Sequence, residues 1–390
     1  MRIARGDAVA LTRALVRIDS RNPSLVTGAP GEAEIAQFLS EVLRDWGFSV
    51  ELQEAAKGRP NVIGRIGSGS GPSLMFNGHI DVVDVVGMRH SPFEADQRDG
   101  RIWGRGSSDM KSGVAAMCAA AVRAADRGLG GEIIVTAVVD EEFKSLGTRA
   151  LVAGGIRADA AIVTEPTRLA IMPAHKGFVW MDLEVRGVAA HGSRWEIGVD
   201  AIRHAGLFLA ELDRYDATML PERSHPLLGR PSVHASLISG GSGLSTYPDR
   251  CTLSIERRTI PGESPDQVVA ETQALCDAVA KRHLAFDGRL TMTLAQPPSD
   301  VATSAPIAKA LRSSIDVVSA TGESIPVRIE GMSAWTDAAL LNDAGIPAIC
   351  FGPGDIALAH AAEEYVDRKE IELATNVLTE LAVGWTTRRR

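Results

Sequence analysis

Acidic residues and histidines stand at the ends of short apolar runs along this chain. The run Ser73–Asn77 ends in Gly78-His79-Ile80-Asp81. The run 132–139 ends in Asp140-Glu141-Glu142, and 160–164 ends in Glu165-Pro166. Between them lies Gly104-Arg105-Gly106-Ser107-Ser108-Asp109-Met110-Lys111-Ser112-Gly113, and late in the chain Gly352-Pro353-Gly354 precedes Ala359-His360. Imidazole nitrogens and hard carboxylate oxygens are what a divalent cation binds. Without a cation, converging carboxylates repel one another and resist ionisation. A pair of dications removes that penalty and acidifies a water.

Each piece alone has a plainer reading. A His after a strand is commonly a hydrogen-bonded turn residue, and Glu141-Glu142 suits the first turn of a helix. The glycine-rich run lacks the GxxxxGK[ST] spacing of a phosphate loop, and Asp109 in it would repel a phosphate. Only the ordered conjunction at strand ends makes the plain readings poor.

The elements that must position these residues follow from periodicity. Helical spacing covers 8–18, 31–46 and the Ala-rich 110–127. Strands are expected at 48–53, 61–66, 73–77, 132–139 and 160–164, with 132–139 buried on both faces. This alternation predicts an α/β domain with a mostly parallel sheet flanked by helices, and ligands in such sheets bind at the carboxyl ends of strands. After Gly177 the character changes: one-sided strands at 178–185, 231–238 and 250–257 accompany helices at 198–213 and 264–283. The α/β pattern returns with 290–294, 304–319, 346–351 and 368–385. The expected division is a catalytic domain of residues 1–177 and 291–390 with an inserted α+β domain at 178–290.

Composition narrows the function classes. The 390 residues are 45% hydrophobic and 23% charged, with 41 Lys+Arg against 49 Asp+Glu and a net charge of −8. That balance fits neither a nucleic-acid backbone nor an anionic membrane surface, so no nucleic-acid or membrane partner is expected. The basic end Arg388-Arg389-Arg390 reads as solvated surface. The four cysteines, Cys118, Cys251, Cys276 and Cys350, form no CxxC pair and read as buried thiols of a reducing compartment. No apolar h-region opens the chain and no run reaches a membrane span, so a cytoplasmic location is expected.

These motifs together resemble the co-catalytic zinc hydrolases that include acetylornithine deacetylase, succinyl-diaminopimelate desuccinylase, aminoacylase and carboxypeptidase G. The resemblance spans nearly the whole chain. It takes in Asp19-Ser20, Asn22-Pro23, the His79, Asp109, Glu141 and Glu165 motifs, and His191-Gly192-Ser193. Arg258-Thr259-Ile260-Pro261-Gly262-Glu263, Thr336-Asp337-Ala338, Gly352-Pro353-Gly354 and His360 with Glu363-Glu364-Tyr365-Val366 complete it.

The resemblance implies two divalent ions, zinc by default with cobalt or manganese fitting similar sites. Asp109 would bridge both; His79 and Glu165 would complete one site, Glu142 and His360 the other. Asp81 would accept a hydrogen bond from the far ring nitrogen of His79. The peptide after Asp109 is expected to be cis. Glu141 would be the general base, taking a proton from the metal-bridging water and returning it to the leaving nitrogen. Glu141 and Glu142 would divide these tasks by pointing to opposite sides of an extended chain.

His191 would stabilise the oxyanion, within the subunit or across a homodimer, and Arg258 would clamp a substrate carboxylate. The inserted domain would serve as lid and dimerisation surface. Ser245 stands where many relatives carry Asn, and Ala338 where desuccinylases carry Arg. Trp335 offers an apolar substrate wall or a core ring.

The reading is hydrolysis of the amide of an N-acyl amino acid, deacetylase-like. The alternative within the same chemistry is a carboxypeptidase or dipeptidase; Glu165, where many aminopeptidase relatives have Asp, favours the deacylases and carboxypeptidases. A non-catalytic binding protein would have lost one of the site positions, and all are filled. A nucleotide-binding sheet would show GxGxxG after a strand, which is missing.

Overall fold

A computed structural model describes residues 2–67, 70–322 and 324–388. Arg389 and Arg390 of the basic end lie outside the described residues. The chain divides into two compact units. The first comprises Met1–Pro173, Val301–Glu330 and Thr336–Arg390, and the second Ala174–Asp300 with Gly331–Trp335.

The sheet of the first unit runs in the order Ser49–Ala56, Arg59–Gly67, Glu132–Val138, Leu74–His79, Ala160–Val163, Ala348–Cys350, Ile171–His175. The four strands from Glu132–Val138 to Ala348–Cys350 are mutually parallel, with antiparallel neighbours on either side. Leu74–His79 and Ala160–Val163 are buried throughout, as their uninterrupted apolar sequences require. Because the parallel strands end together, His79, Asp140 and Glu165 emerge at one edge.

Helices Ala8–Val16, Ser112–Arg127, Pro306–Ala320 and Arg368–Thr386 pack on one another and share one apolar core with the sheet. Helix Ser112–Arg127 follows Asp109 directly, and its alanines allow a close approach. Gly113 makes the tightest approach: a Cβ there would lie 2.0 Å from the Thr164 carbonyl oxygen. Only glycine lets this helix start against the residue preceding Glu165. A small sheet of Asp96–Arg98, Arg101–Trp103 and Tyr365–Asp367 ties the end of the chain to the Gly104–Asp109 loop.

The second unit is a four-stranded antiparallel sheet in the order Ser232–Gly240, Arg250–Thr259, Gly177–Arg186, Asp287–Gln296. Helices Ala201–Thr218 and Pro265–Arg282 pack on it around Phe208, Leu183, Leu253 and Ile255. Ser264 caps the second helix and Pro265 opens it.

Three points of the domain division read from the sequence need correction. Apolar spacing places residues 290–294 in the returning α/β pattern. They instead form part of Asp287–Gln296, which hydrogen-bonds to Gly177–Arg186, so the second unit extends to Asp300 and not to 290. The assigned 291–390 also contains Gly331–Trp335, which the second unit takes back. The entry point moves from 178 to Ala174.

Candidate metal centre

Asp109 is the residue shared by two clusters of potential ligands. His79, Asp109 and Glu165 form one, and Asp109, Glu142 and His360 the other; in each, the donor atoms all lie within 4.8 Å of one another. The sequence-predicted ligand set is thus brought together by five separate stretches of chain.

His79 closes its strand with Nε2 3.0 Å from Asp109 Oδ1. Its Nδ1–H donates to the backbone carbonyl of Asp81 at 3.0 Å, which fixes the tautomer. The expected bond to the Asp81 carboxylate is therefore corrected: Oδ1 stands 3.6 Å away. That carboxylate is committed elsewhere. It accepts the backbone N–H groups of Glu141 at 3.1 Å and Glu142 at 3.2 Å, and the Asn22 amide at 2.8 Å.

Glu141 and Glu142 lie in a turn and not on an extended strand, which corrects the expectation of opposed side chains. Asp140 begins the turn with φ 64°, and its carbonyl accepts from Lys144 and Ser145. The turn directs Glu142 to His360, whose Nε2 is 3.0 Å and 3.2 Å from the two carboxylate oxygens. His360 itself has φ 60° and is the exposed member of the set.

Asp109 sits between helical turns with its peptide bond to Met110 cis. Its placement depends on Glu364, which accepts the N–H groups of Ser108 at 3.0 Å and Asp109 at 3.1 Å and a bond from Arg105 at 2.6 Å. Gly354, at φ 90°, leaves room for Ser108, where a Cβ would lie 2.6 Å from its hydroxyl.

Charge at this centre is unbalanced. Burial, then Asp109, pushes the Glu165 carboxyl well above the ordinary range. Burial does the same to Glu141, against His79 and with Glu165 and Asp337 adding to the rise. Burial also raises Glu142, and it raises Asp337 to about 6. Asp109 is held low despite burial, by its hydrogen bond and charge contact with His79. The same contact, against burial, raises His79 well above its usual value. The hydrogen bond that His360 donates to the Glu142 carboxylate raises its pKa to about 9. Buried acids in excess over imidazoles, converging on one shared carboxylate, fit a pair of divalent cations.

The remaining predicted residues belong to the second unit. His191 is exposed and its Nδ1 is 2.8 Å from the Ser193 hydroxyl. Ser245 is exposed and accepts the Gly192 N–H through its backbone carbonyl at 2.7 Å. Arg258 is half-buried over the Phe178 ring, 5.3 Å from its centroid, with Nε donating to Glu256 at 2.6 Å. Its neighbour Arg257 faces inward and is fully buried. Trp335 is buried against His175 and Phe178, and its indole N–H donates to the Pro297 carbonyl at 2.9 Å. Of its two readings, this packing favours the core ring.

Sequence reasoning gave no role to Glu364, Asp337, Asn22 or Arg59. Glu363 and Glu364 are adjacent acids with the same sequence signal, yet Glu363 is exposed beside Arg89 and Glu364 is buried. Asp337 stood in a quoted motif; it accepts the Thr148 hydroxyl at 2.6 Å and adds negative charge beside Glu141.

A model of the peptidase family M20/M25/M40 matches residues 75–383. The chain belongs to this family. Among curated relatives, an acetylornithine deacetylase from Myxococcus xanthus is 31% identical, covering 85% of this chain and 87% of its own. An N-formyl-4-amino-5-aminomethyl-2-methylpyrimidine deformylase from Bacillus subtilis is 28% identical over 98% of this chain and 96% of its own. A tripeptidase from Staphylococcus aureus shares the fold, with TM-score 0.81, 20% identity and full coverage of both chains. As an M20/M25/M40 member this chain is a metal-dependent hydrolase of amide bonds. Among the described residues, no helix is long and apolar enough to cross a membrane.

Proposed function

We propose that this hydrolase removes an acyl group from the nitrogen of a small amino acid. The observation that carries the reading is the sharing of Asp109 between two ligand clusters, with the Glu141 turn beside them. The two curated relatives described above are a deacetylase and a deformylase, which favours an acyl amide as substrate.

Two divalent ions, zinc by default and cobalt or manganese as alternatives, would supply polarisation of the scissile carbonyl and acidification of a water. His79 and Glu165 would hold one, Glu142 and His360 the other, and Asp109 both. Glu141 takes a proton from the attacking water and delivers it to the departing nitrogen. Asp81 acts by position, holding the Glu141 and Glu142 amides. His191 stabilises the negative charge growing on the carbonyl oxygen. Arg258 exchanges Glu256 for the substrate carboxylate. Ser245 takes the place of the Asn expected beside the substrate, and Trp335 supports Phe178 beneath Arg258.

A second reading keeps the chemistry and changes the substrate. A guanidinium poised for a carboxylate serves the C-terminus of a dipeptide as well as an acylated amino acid, so a carboxypeptidase activity competes. A homodimer is also proposed. The edge strand Ser232–Gly240 exposes Leu237 at 70% and Ile238 at 58%, and among the described residues no strand pairs with its outer side.

The deciding assay compares N-acetyl, N-formyl and N-succinyl amino acids with dipeptides on the metal-loaded protein. Preferred release from an acyl amino acid is expected. Preferred cleavage of dipeptides would replace the first reading with the second.

A further inference from the structure

The Asn22 motif and the start of strand Arg59–Gly67 are unused by this mechanism, yet they meet in a fully connected polar network behind it. Strand Arg59–Gly67 runs antiparallel to Glu132–Val138 with Val62 opposite Ala137. Continuing that register places Arg59 across from Asp140, at the head of the Glu141-Glu142 turn.

Every donor of the buried Arg59 guanidinium is used. Nε donates to Glu32 Oε2 at 2.8 Å. One Nη2 proton goes to the other Glu32 oxygen and the second to Asn22 Oδ1 at 3.1 Å. Nη1 serves the Ser24 hydroxyl at 2.9 Å and Asp140 Oδ1 at 2.9 Å. Asn22 passes the connection on: its Nδ2 donates to Asp81 Oδ2 at 2.8 Å and to Asp140 Oδ1 at 3.1 Å. Asp81 then holds the Glu141 and Glu142 amides, and its carbonyl holds His79 Nδ1. Asp140 Oδ2 meanwhile accepts the Lys144 N–H at 3.2 Å from the far side of the turn.

We propose that Arg59 is a positioning residue for catalysis, acting through Asn22 and Asp140 to fix Asp81 and the turn that carries Glu141 and Glu142. The physical need is specific. Glu32, Asp81 and Asp140 are three buried carboxylates within one network, and an isolated buried charge is costly unless paired and hydrogen-bonded. One planar fork with five donors satisfies two of them directly and the third through Asn22. Lysine offers the charge without the fork. With the guanidinium removed, Asp140 and Asp81 lose their fixed separation. The two amides that Asp81 holds are those of the proposed base and of a proposed ligand, so a loss here reaches proton transfer and cation binding together. The inference rests on the roles proposed above for Glu141 and Glu142.

The test uses the full chain with Arg59→Met, Arg59→Lys and the near-isosteric Asn22→Leu. Two readouts are taken: steady-state kinetics on the best amide substrate, and amide hydrogen exchange resolved at residues 139–145. The expected result for Arg59→Met is a kcat lower by roughly ten- to a hundredfold, the range for partners that orient metal ligands, with KM little changed. Exchange at Glu141 and Glu142 should quicken while strands Leu74–His79 and Glu132–Val138 keep their protection. Arg59→Lys should recover part of both effects. Where Arg59→Met does not fold, Asn22→Leu decides on the same two readouts. Unchanged exchange at the turn, or loosening spread evenly over the first unit with a matching fall in thermal midpoint, would overturn the proposal. The exchange readout needs no substrate, so a protein inactive on every amide tested would sink the functional reading and still decide this one.

Discussion

Replacing His360 with alanine separates metal binding from folding, because the structure places this ligand at the surface. The side chain is 54% exposed, so truncation leaves no core cavity. In the metal-free protein the loss is one partly exposed ion pair with Glu142, worth about 1 kcal/mol or less. In the loaded protein the loss is a ligand. Even outer partners of ligands cost about ten- to a hundredfold in affinity, and a hundredfold weakening removes about 2.7 kcal/mol of binding-linked stability at saturating metal.

The pH dependence has a definite sign. Glu142 raises His360 from 6.5 to about 9 in the metal-free chain. The protonated pair therefore stabilises that chain fully below pH 6.5 and is lost as pH rises through about 9. The same proton must leave before the nitrogen can hold a cation, so affinity at this cluster climbs across that window. Calorimetric titration with zinc or cobalt at several pH values, with thermal melts of both forms, measures each quantity. His360→Ala should bind one ion normally and one weakly, lose the pH slope, and melt much earlier when loaded but at most slightly earlier when metal-free. Two ions bound at unchanged affinity, or equal destabilisation of both forms, would refute the reasoning.

Other outcomes follow from the same geometry. Glu141→Gln preserves shape and should keep full metal content while kcat falls by roughly a hundred- to ten-thousandfold, the usual range for a lost general base; metal analysis beside kinetics checks it. Arg258→Ala should raise KM about ten- to a hundredfold for carboxylate-bearing substrates, from the roughly 1.5–3 kcal/mol of a charged hydrogen bond, and leave uncharged amides unaffected. Leu237→Lys on the exposed edge strand should shift the protein towards monomer in sedimentation velocity without altering its metal content.

His79, Glu142 and Glu165 were legible because each follows a strand of a parallel sheet whose ends converge, whereas Asp109 and His360 stand in loops and were gathered through the family resemblance. Their orienting partners were not legible. Glu364 and Glu363 are chemically identical neighbours, and only the pairing of Val366 with Ile102 decides which one turns inward. Arg59 looks like any charged residue before a strand; its role depends on a register fixed 78 residues later, at Ala137. The Glu141 turn defeated an alternation argument because Asp140 takes a positive φ that ends the strand early. Apolar spacing reports a strand without naming its partner, so it does not reveal that Asp287–Gln296 pairs with Gly177–Arg186 in the second unit.

The most direct test of the central claim is metal content measured together with hydrolysis, on protein reconstituted with zinc and on protein stripped by chelator. The account predicts two ions per chain, amide cleavage that disappears with them, and its return on reloading. Hydrolysis that persists in the stripped protein, or fewer than two ions at saturation, would contradict the assignment of Asp109 as the ligand shared by two sites.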